Sequence, residues 1–282
     1  MKKRLFKGSG LIIFCFLMLI CLPAVPVMGD EPGDSAEATI RFLGHCGFAV
    51  QTENYFLIFD YVEKRLEGQY REPESRSLET GYINPDELKK SKVRVFVTHS
   101  HSDHYDDVIY SWEETIPDIE YFFGWRASEE ARYHYLIGPR AEWNDDDMRI
   151  YTVNSHHSGV PEVAYLVLVD GLAIYHNGDC KANPEDDIAY LKSKTDHLDM
   201  AFVPPVWEEK WDYYRLTTAL IDQLNPKAIF PMHVRVGDEE KFFEPFKKTF
   251  QPEMEEGRVV LTMNEKGAVY RYENEKINRL RE

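Results

Sequence analysis

Cysteine is scarce in this sequence: four in 282 residues, two of them, Cys15 and Cys21, inside an apolar stretch near the start. The other pair, Cys46 and Cys180, cannot supply the disulfide framework of a small secreted scaffold, so a hydrophobic core, with or without bound metal, has to hold the fold. Whether these two meet as a disulfide, sit near a site as free thiols or are simply buried stays open at this stage. Basic residues are also in short supply, 33 Lys and Arg against 49 Asp and Glu, for a formal charge of −16. A surface of that sign repels phosphate backbones and anionic lipid. It excludes a nucleic-acid clamp and argues against a peripheral membrane protein, leaving a small-molecule substrate as the expected partner. Internal repeats and low-complexity blocks are missing too. The oligomeric state is not legible.

Long apolar runs are absent as well. Leu11 to Leu22 stops well short of the roughly twenty residues that a bilayer-spanning helix needs. It follows Lys2, Lys3, Arg4 and Lys7 and is broken by Pro23 and Pro26, with the small residues of Val27-Met28-Gly29 after them. That is the layout of a secretory signal peptide, residues 1–29, which implies export to the periplasm or the cell exterior and no transmembrane segment in the mature form. An uncleaved N-terminal anchor is the second reading. A lipoprotein is excluded, because Ile20 stands before Cys21 where a small residue is required. Removing residues 1–29 takes four basic residues and no acidic ones, leaving a formal charge of −20. Residues 30–38 read as a flexible polar leader and 39–282 as one folded domain.

What is present is a series of short β-prone runs, each ending on a polar residue. Thr39–Phe42 and Phe48–Thr52 flank the turn Gly44-His45-Cys46-Gly47, and Tyr55–Phe59 ends at Asp60. Val93–Thr98 runs into His99-Ser100-His101-Ser102-Asp103-His104. Ile150–Val153 leads to His156-His157, and Val163–Val169 with Leu172–Tyr175 form a hairpin about Asp170-Gly171 that ends at Asn177-Gly178-Asp179. Met200–Val203 stops at Pro204-Pro205, and Ala228–Phe230 precedes His233. Helices are expected near Pro85–Lys90, after His104, at Ser128–Leu136, Arg215–Leu224 and Asp238–Phe250, with a closing hairpin of Val259–Thr262 and Ala268–Tyr272. Strands alternating with helices imply mixed sheets covered by helices.

His99, His101, Asp103 and His104 put four potential ligands into six residues at a strand end. Imidazole nitrogen and carboxylate oxygen suit Zn²⁺ and related cations, and burying such groups uncompensated would be costly. These four residues match the H-x-H-x-D-H signature of the metallo-β-lactamase superfamily. The rest of that pattern follows in order: Asp60, His156 or His157, Asp179 and His233. The turn Leu43-Gly44-His45-Cys46-Gly47-Phe48 resembles the branch that holds ascorbate-phosphate lactonases and acyl-ethanolamine phospholipases. The resemblance covers about Thr39 to Val236.

It implies an α/β fold, the four-layer αβ/βα sandwich of that superfamily, with two divalent cations, zinc first and manganese or iron as alternatives. His99, His101 and His157 (alternatively His156) would hold one cation. Asp103, His104 and His233 would hold the other, with Asp179 between them. Asp60 would orient a ligand histidine from behind, His45 would line the pocket, and Asp103 would also be catalytic by orienting the nucleophile. The expected activity is hydrolysis of an ester, lactone, amide or phosphodiester by a metal-bound hydroxide. The alternatives are a metal-binding protein without turnover and an iron-dependent oxidoreductase; di-iron members of the fold generally carry Glu where His101 stands. Trp207, Trp211, Tyr213 and Tyr214 are candidates for a substrate pocket or for ordinary packing. His176, on the strand that ends at Asp179, reads as a hydrogen-bonding or packing residue, and His134, in a helical segment, and His197, in a loop, read as bland.

Overall fold

A computed structural model describes residues 36–66, 68–70, 72–125, 132–157, 159–180, 184–205, 212–262 and 265–280, and, within these, not the side chains of 154–157, 184 and 212–214. The signal-peptide reading, residues 30–35 of the leader, and Trp207 and Trp211 fall outside the described residues. So do the side chains of His156, His157, Tyr213 and Tyr214. Among the described residues no helix is long and apolar enough to cross a membrane.

The first half of the chain builds most of one sheet from β1 (Ala38–Gly44), β2 (Gly47–Gln51), β3 (Tyr55–Phe59), β4 (Lys92–Val97), β5 (Ile119–Phe123) and β6 (Tyr133–Tyr135). The second half builds another from β7 (Glu142–Asn144), β8 (Met148–His157), β9 (Val160–Val169), β10 (Leu172–His176), β11 (Met200–Val203) and β12 (Ala228–Pro231). The chain then returns to the first sheet as β13 (Val269–Glu273) and β14 (Lys276–Arg279), giving the order β14-β13-β1-β2-β3-β4-β5-β6 beside a six-stranded β12-β11-β10-β9-β8-β7. Both sheets are mixed: β3-β4-β5-β6 and β10-β11-β12 run parallel, the rest antiparallel.

Strand alternation sorts the core into layers. On β4, Phe96 joins a cluster shared by the two sheets, with Phe48, Phe59, Tyr165, Phe202 and Phe230, whereas Val93, Val95 and Val97 face a second cluster with Ile109 and Trp112 of the 3₁₀ segment Asp107–Glu114. A third cluster joins Leu166, Tyr175 and Ala201 of the second sheet to α1 (Pro184–Lys192), α2 (Asp212–Leu224) and α3 (Glu239–Thr249) through Ile188, Leu191, Leu216, Leu220 and Phe246. Helical layer, sheet, sheet and helical layer follow in that order. This is the αβ/βα sandwich implied by the resemblance.

Two local expectations need correction, and one helix is additional. Residues 133–135 form β6 rather than helix: Tyr133-His134-Tyr135 pair in parallel with Tyr121-Phe122-Phe123, where aromatic side chains find sheet neighbours. Ala268–Tyr272 does not pair with Val259–Thr262; it covers the open side of β1, in the register Ala38↔Tyr272 to Arg41↔Val269. Val259 makes only an isolated bridge to Ile229. The closing hairpin is β13–β14, through Asn274 and Glu275 at φ 51° and 58°, the positive pair of a two-residue turn without its customary glycine. Finally, α1 was unanticipated.

Candidate metal centre

Parallel pairing delivers the chemistry to one edge. β3 and β4 run side by side, so Asp60 after β3 and Thr98-His99 after β4 emerge together. In the other sheet β10, β11 and β12 are parallel, so Asp179 and His233 also leave at one end, where antiparallel β9 begins and carries Glu162 near its start. Val163 N–H donates to Thr98 O at 3.2 Å and joins the two edges. Ligands of open α/β sheets bind beyond such carboxyl ends.

The loop after β4 closes tightly, His104 and Tyr105 N–H both donating to His101 O at 3.0 and 2.9 Å. It folds His104 back over Asp60, whose Oδ2 accepts from His104 Nδ1 at 2.7 Å. Thr98 donates to the same carboxylate twice, N to Oδ1 and Oγ1 to Oδ2, each at 2.8 Å. With Nδ1 committed to Asp60, Nε2 is the ring nitrogen left to face the site, 3.5 Å from Asp179 Oδ1. Asp179 Oδ1 is also 3.1 Å from His233 Nε2, and Asp103 Oδ2 lies 3.8 Å from that nitrogen and 3.7 Å from His45 Nε2. His99 Nε2 is 3.1 Å from His101 Nδ1, while His99 Nδ1 faces Thr98 Oγ1 at 3.0 Å and Glu162 Oε1 at 3.3 Å.

Three site residues sit in strained backbone. His45, Asp60 and His233 adopt φ of 53°, 46° and 64°, a left-handed region that costs non-glycine residues on the order of 1–3 kcal/mol each. Tyr70 Oη accepting from His45 N–H at 3.0 Å and His233 N–H donating to His45 O at 3.2 Å help to hold two of them. Gly178, at φ 54°, has no room for a side chain: a Cβ would lie 2.8 Å from Thr98 Cβ and 2.9 Å from Glu162 Oε1.

Burial and mutual charge set the protonation states. Burial pushes the His99 imidazole down to about 3 and His45 down to about 4. Burial would lower His104 too, yet the Asp179 and Asp60 carboxylates hold it well above the ordinary histidine value. Burial alone would raise the Asp179 and Asp60 carboxyls, but His104 and its imidazole neighbours keep both below the usual range. Asp103 is held low first by its interaction with His45. The Cys46 thiol is pushed up to about 12 by burial.

Of the residues singled out in the sequence, His99, His104 and Asp179 bring donor atoms within 4.8 Å of one another, and so do Asp103, His104 and His233. His101 stands beside His99, and Asp60 and His45 flank the two groups. The backbones of His156 and His157 pair with Pro161 and Val160 at the start of β9. Three residues at the site, Thr98, Glu162 and Cys46, were not assigned a role there, while His176 takes the hydrogen-bonding and packing role expected of it. Thr98 links Asp60 to His99. Glu162 Oε1 accepts from Asp179 N–H at 2.5 Å. Cys46 Sγ lies 3.6 Å from His104 Nε2. His176, stacked on Phe59, donates from Nε2 to Cys46 O at 2.9 Å. Cys46 and Cys180 are both buried, and no disulfide joins them.

The donor set suits divalent cations of the zinc type. Among the described residues the buried Nε2 atoms of His45 and His233 make no well-formed hydrogen bond, although carboxylate oxygens stand 3.7 and 3.1 Å away, and a cation would engage both.

A family model described as a beta-lactamase superfamily domain matches residues 39–233. A curated UPF0173 metal-dependent hydrolase of Thermococcus kodakarensis is 25% identical over 207 residues, 69% of this chain and 83% of that one. Igni18 of Ignicoccus hospitalis, described as a metallo hydrolase, is similar in structure with a TM-score of 0.55 at 20% identity, covering 84% of this chain and 99% of the other. YhfI of Bacillus subtilis, a metallo-beta-lactamase fold protein, gives a TM-score of 0.57 at 12% identity, covering 84% and 100%. At these identities the likeness to the two solved structures shows the fold.

Proposed function

Since the chain belongs to the beta-lactamase superfamily, we propose that it is a metal-dependent hydrolase acting on a small ester, lactone, amide or phosphodiester. The observation that carries this reading is the meeting of Asp179 with His104 and His233 at 3.5 and 3.1 Å, with Asp103 at the same edge. His99, His101 and His157, or His156 in its place, would hold one cation. Asp103, His104 and His233 would hold a second, zinc first in each case, with Asp179 shared. Cations bound there supply Lewis acidity towards a carbonyl or phosphoryl oxygen and bring the pKa of water from 15.7 down to roughly 7.

The chain's own residues set the stage for that chemistry. Asp60 and Thr98 lock the ring of His104 from behind, and Glu162 holds the backbone of Asp179. Asp103 stays ionised at neutral pH, so its carboxylate would accept a hydrogen bond from a water and orient that water towards the substrate. The strongly acidic surface favours a neutral or weakly charged substrate. We further propose that the mature enzyme is exported.

Metal content of the purified protein, followed by a panel of chromogenic esters, lactones and phosphodiesters, tests this. Zinc with turnover that disappears in Asp179→Ala is expected. Iron with redox-active spectra, or tight metal without turnover on any substrate, would replace hydrolysis by the other two readings. Separate His156→Ala and His157→Ala variants identify the ligand of that pair, the expected outcome being metal loss from His157→Ala alone.

A further inference from the structure

The two donor triads described above leave a sulfur and an imidazole unused on the floor of the same cleft. Cys46 follows His45 in the turn between β1 and β2. It is fully buried, and its backbone oxygen is held by His176. His45 is 6% exposed, and among the described residues its Nε2 makes no well-formed hydrogen bond, the carboxylate of Asp103 standing 3.7 Å away. The rings of His45 and His233 lie 4.5 Å apart, and donor atoms of His45, Cys46 and His233 all fall within 4.8 Å of one another. Backbone ties fix the trio: His233 N–H on His45 O, and Tyr70 Oη on His45 N–H. Cys180, by contrast, packs in the cluster between the second sheet and its helices.

Two imidazoles and a sulfur form a softer donor set than imidazole and carboxylate alone, and soft donors select thiophilic cations over magnesium or manganese. We propose that Cys46, with His45 and His233, forms a thiolate-bearing cation site in the floor of the cleft, selective for zinc, cobalt or cadmium ions. The thiol proton leaves to solvent as the sulfur–metal bond forms. His233 belongs to both this trio and the Asp103-His104 group, so a cation held here draws on the same cleft. The proposal therefore rests on the reading of that cleft as a metal centre.

Metal-stripped full-length protein reconstituted with Co²⁺ provides the test. Wild type should show an intense sulfur-to-cobalt charge-transfer band in the near ultraviolet. Cys180→Ser should keep the band, and Cys46→Ser should lose it while still binding Co²⁺. The preference for Cd²⁺ over Mn²⁺ should fall by at least about tenfold in Cys46→Ser and in His45→Ala. Cadmium-113 NMR of the unsubstituted protein asks the same question without relying on a variant that folds, a resonance in the thiolate range being expected. Weak d–d bands alone, a charge-transfer band surviving in Cys46→Ser, or a cadmium resonance in the nitrogen–oxygen range would overturn the thiolate site and leave the metal centre standing. Folded wild type that takes up no Co²⁺, Zn²⁺ or Cd²⁺ would overturn both.

Discussion

Asp60→Asn changes one buried oxygen for an NH₂ group and leaves the side-chain volume almost unaltered. In the native arrangement both carboxylate oxygens accept, from Thr98 N–H, Thr98 Oγ1 and His104 Nδ1. An amide has only one accepting oxygen. If Oδ1 keeps Thr98 N–H, the NH₂ group faces His104 Nδ1, which must then give up its proton and accept. The proton moves to Nε2, the atom that points at Asp179, and blocks it as a donor to a cation. Removing a hydrogen-bond partner behind a ligand typically weakens metal binding about 10- to 100-fold, or roughly 1.4–2.8 kcal/mol. Metal-free stability falls as well: disrupting a buried charged partnership costs on the order of 3–5 kcal/mol. At about 2–4 °C per kcal/mol for a domain of this size, the melting temperature should drop by roughly 6–20 °C. Competition against a chelator gives the affinity and calorimetry the stability. An Asp60→Asn protein whose zinc affinity lies within twofold of wild type, at unchanged melting temperature, would refute the tautomer reasoning.

Gly178→Ala should lower both metal content and melting temperature, since the new methyl meets Thr98 and Glu162 in a left-handed backbone; atomic absorption and a thermal melt report on it, and a variant that matches wild type in both contradicts the packing described. Asp170 accepts from Thr52 Oγ1 at 2.5 Å and from Asn54 N and Nδ2 at 2.9 Å each, tying the β9–β10 turn to the β2–β3 turn across the two sheets. Burial alone would raise its carboxyl, but these donors hold it below the usual value. Its folded pKa is therefore depressed, and the stabilisation is present above the unfolded value of about 3.9 and fades as pH falls through the folded one. Asp170→Asn should cost about 1 kcal/mol at pH 7, partial exposure keeping the figure small, and the gap to wild type in denaturant melts should narrow below about pH 4. A gap that widens in acid would reverse the sign. Mass spectrometry of exported protein should find an N-terminus close to Asp30; an intact Met1 on the secreted material would support the anchor instead.

Legibility tracked distance along the chain. The six-residue run His99–His104 announces itself because its donors are neighbours in sequence. Asp60, Asp179 and His233 were visible because the resemblance supplies the rest of its pattern in order, each of the three at the end of a short apolar run. The hairpin at Asp170-Gly171 had its turn chemistry written in two residues. Thr98 and Glu162 were not legible, since each is a single polar residue in an apolar strand and gains meaning only when the two sheet edges meet. Cys46 had one cue, its position after His45, and that cue could not distinguish a site from a packed core. The closing hairpin was misassigned because the need of β1 for a partner is invisible locally and Asn274-Glu275 lacks the expected glycine. By contrast α1 did carry a start signal, Pro184 followed by Glu185-Asp186-Asp187 in its first turn, which favours the positive end of the helix dipole.

Crystals grown with zinc and measured on both sides of the zinc absorption edge would locate any bound cations directly. Anomalous peaks are expected beside His99 and Asp179 and within the group of Asp103, His104 and His233. Well-ordered density for these side chains with no anomalous peak among them, in protein shown to be folded and supplied with zinc, would contradict the metal centre.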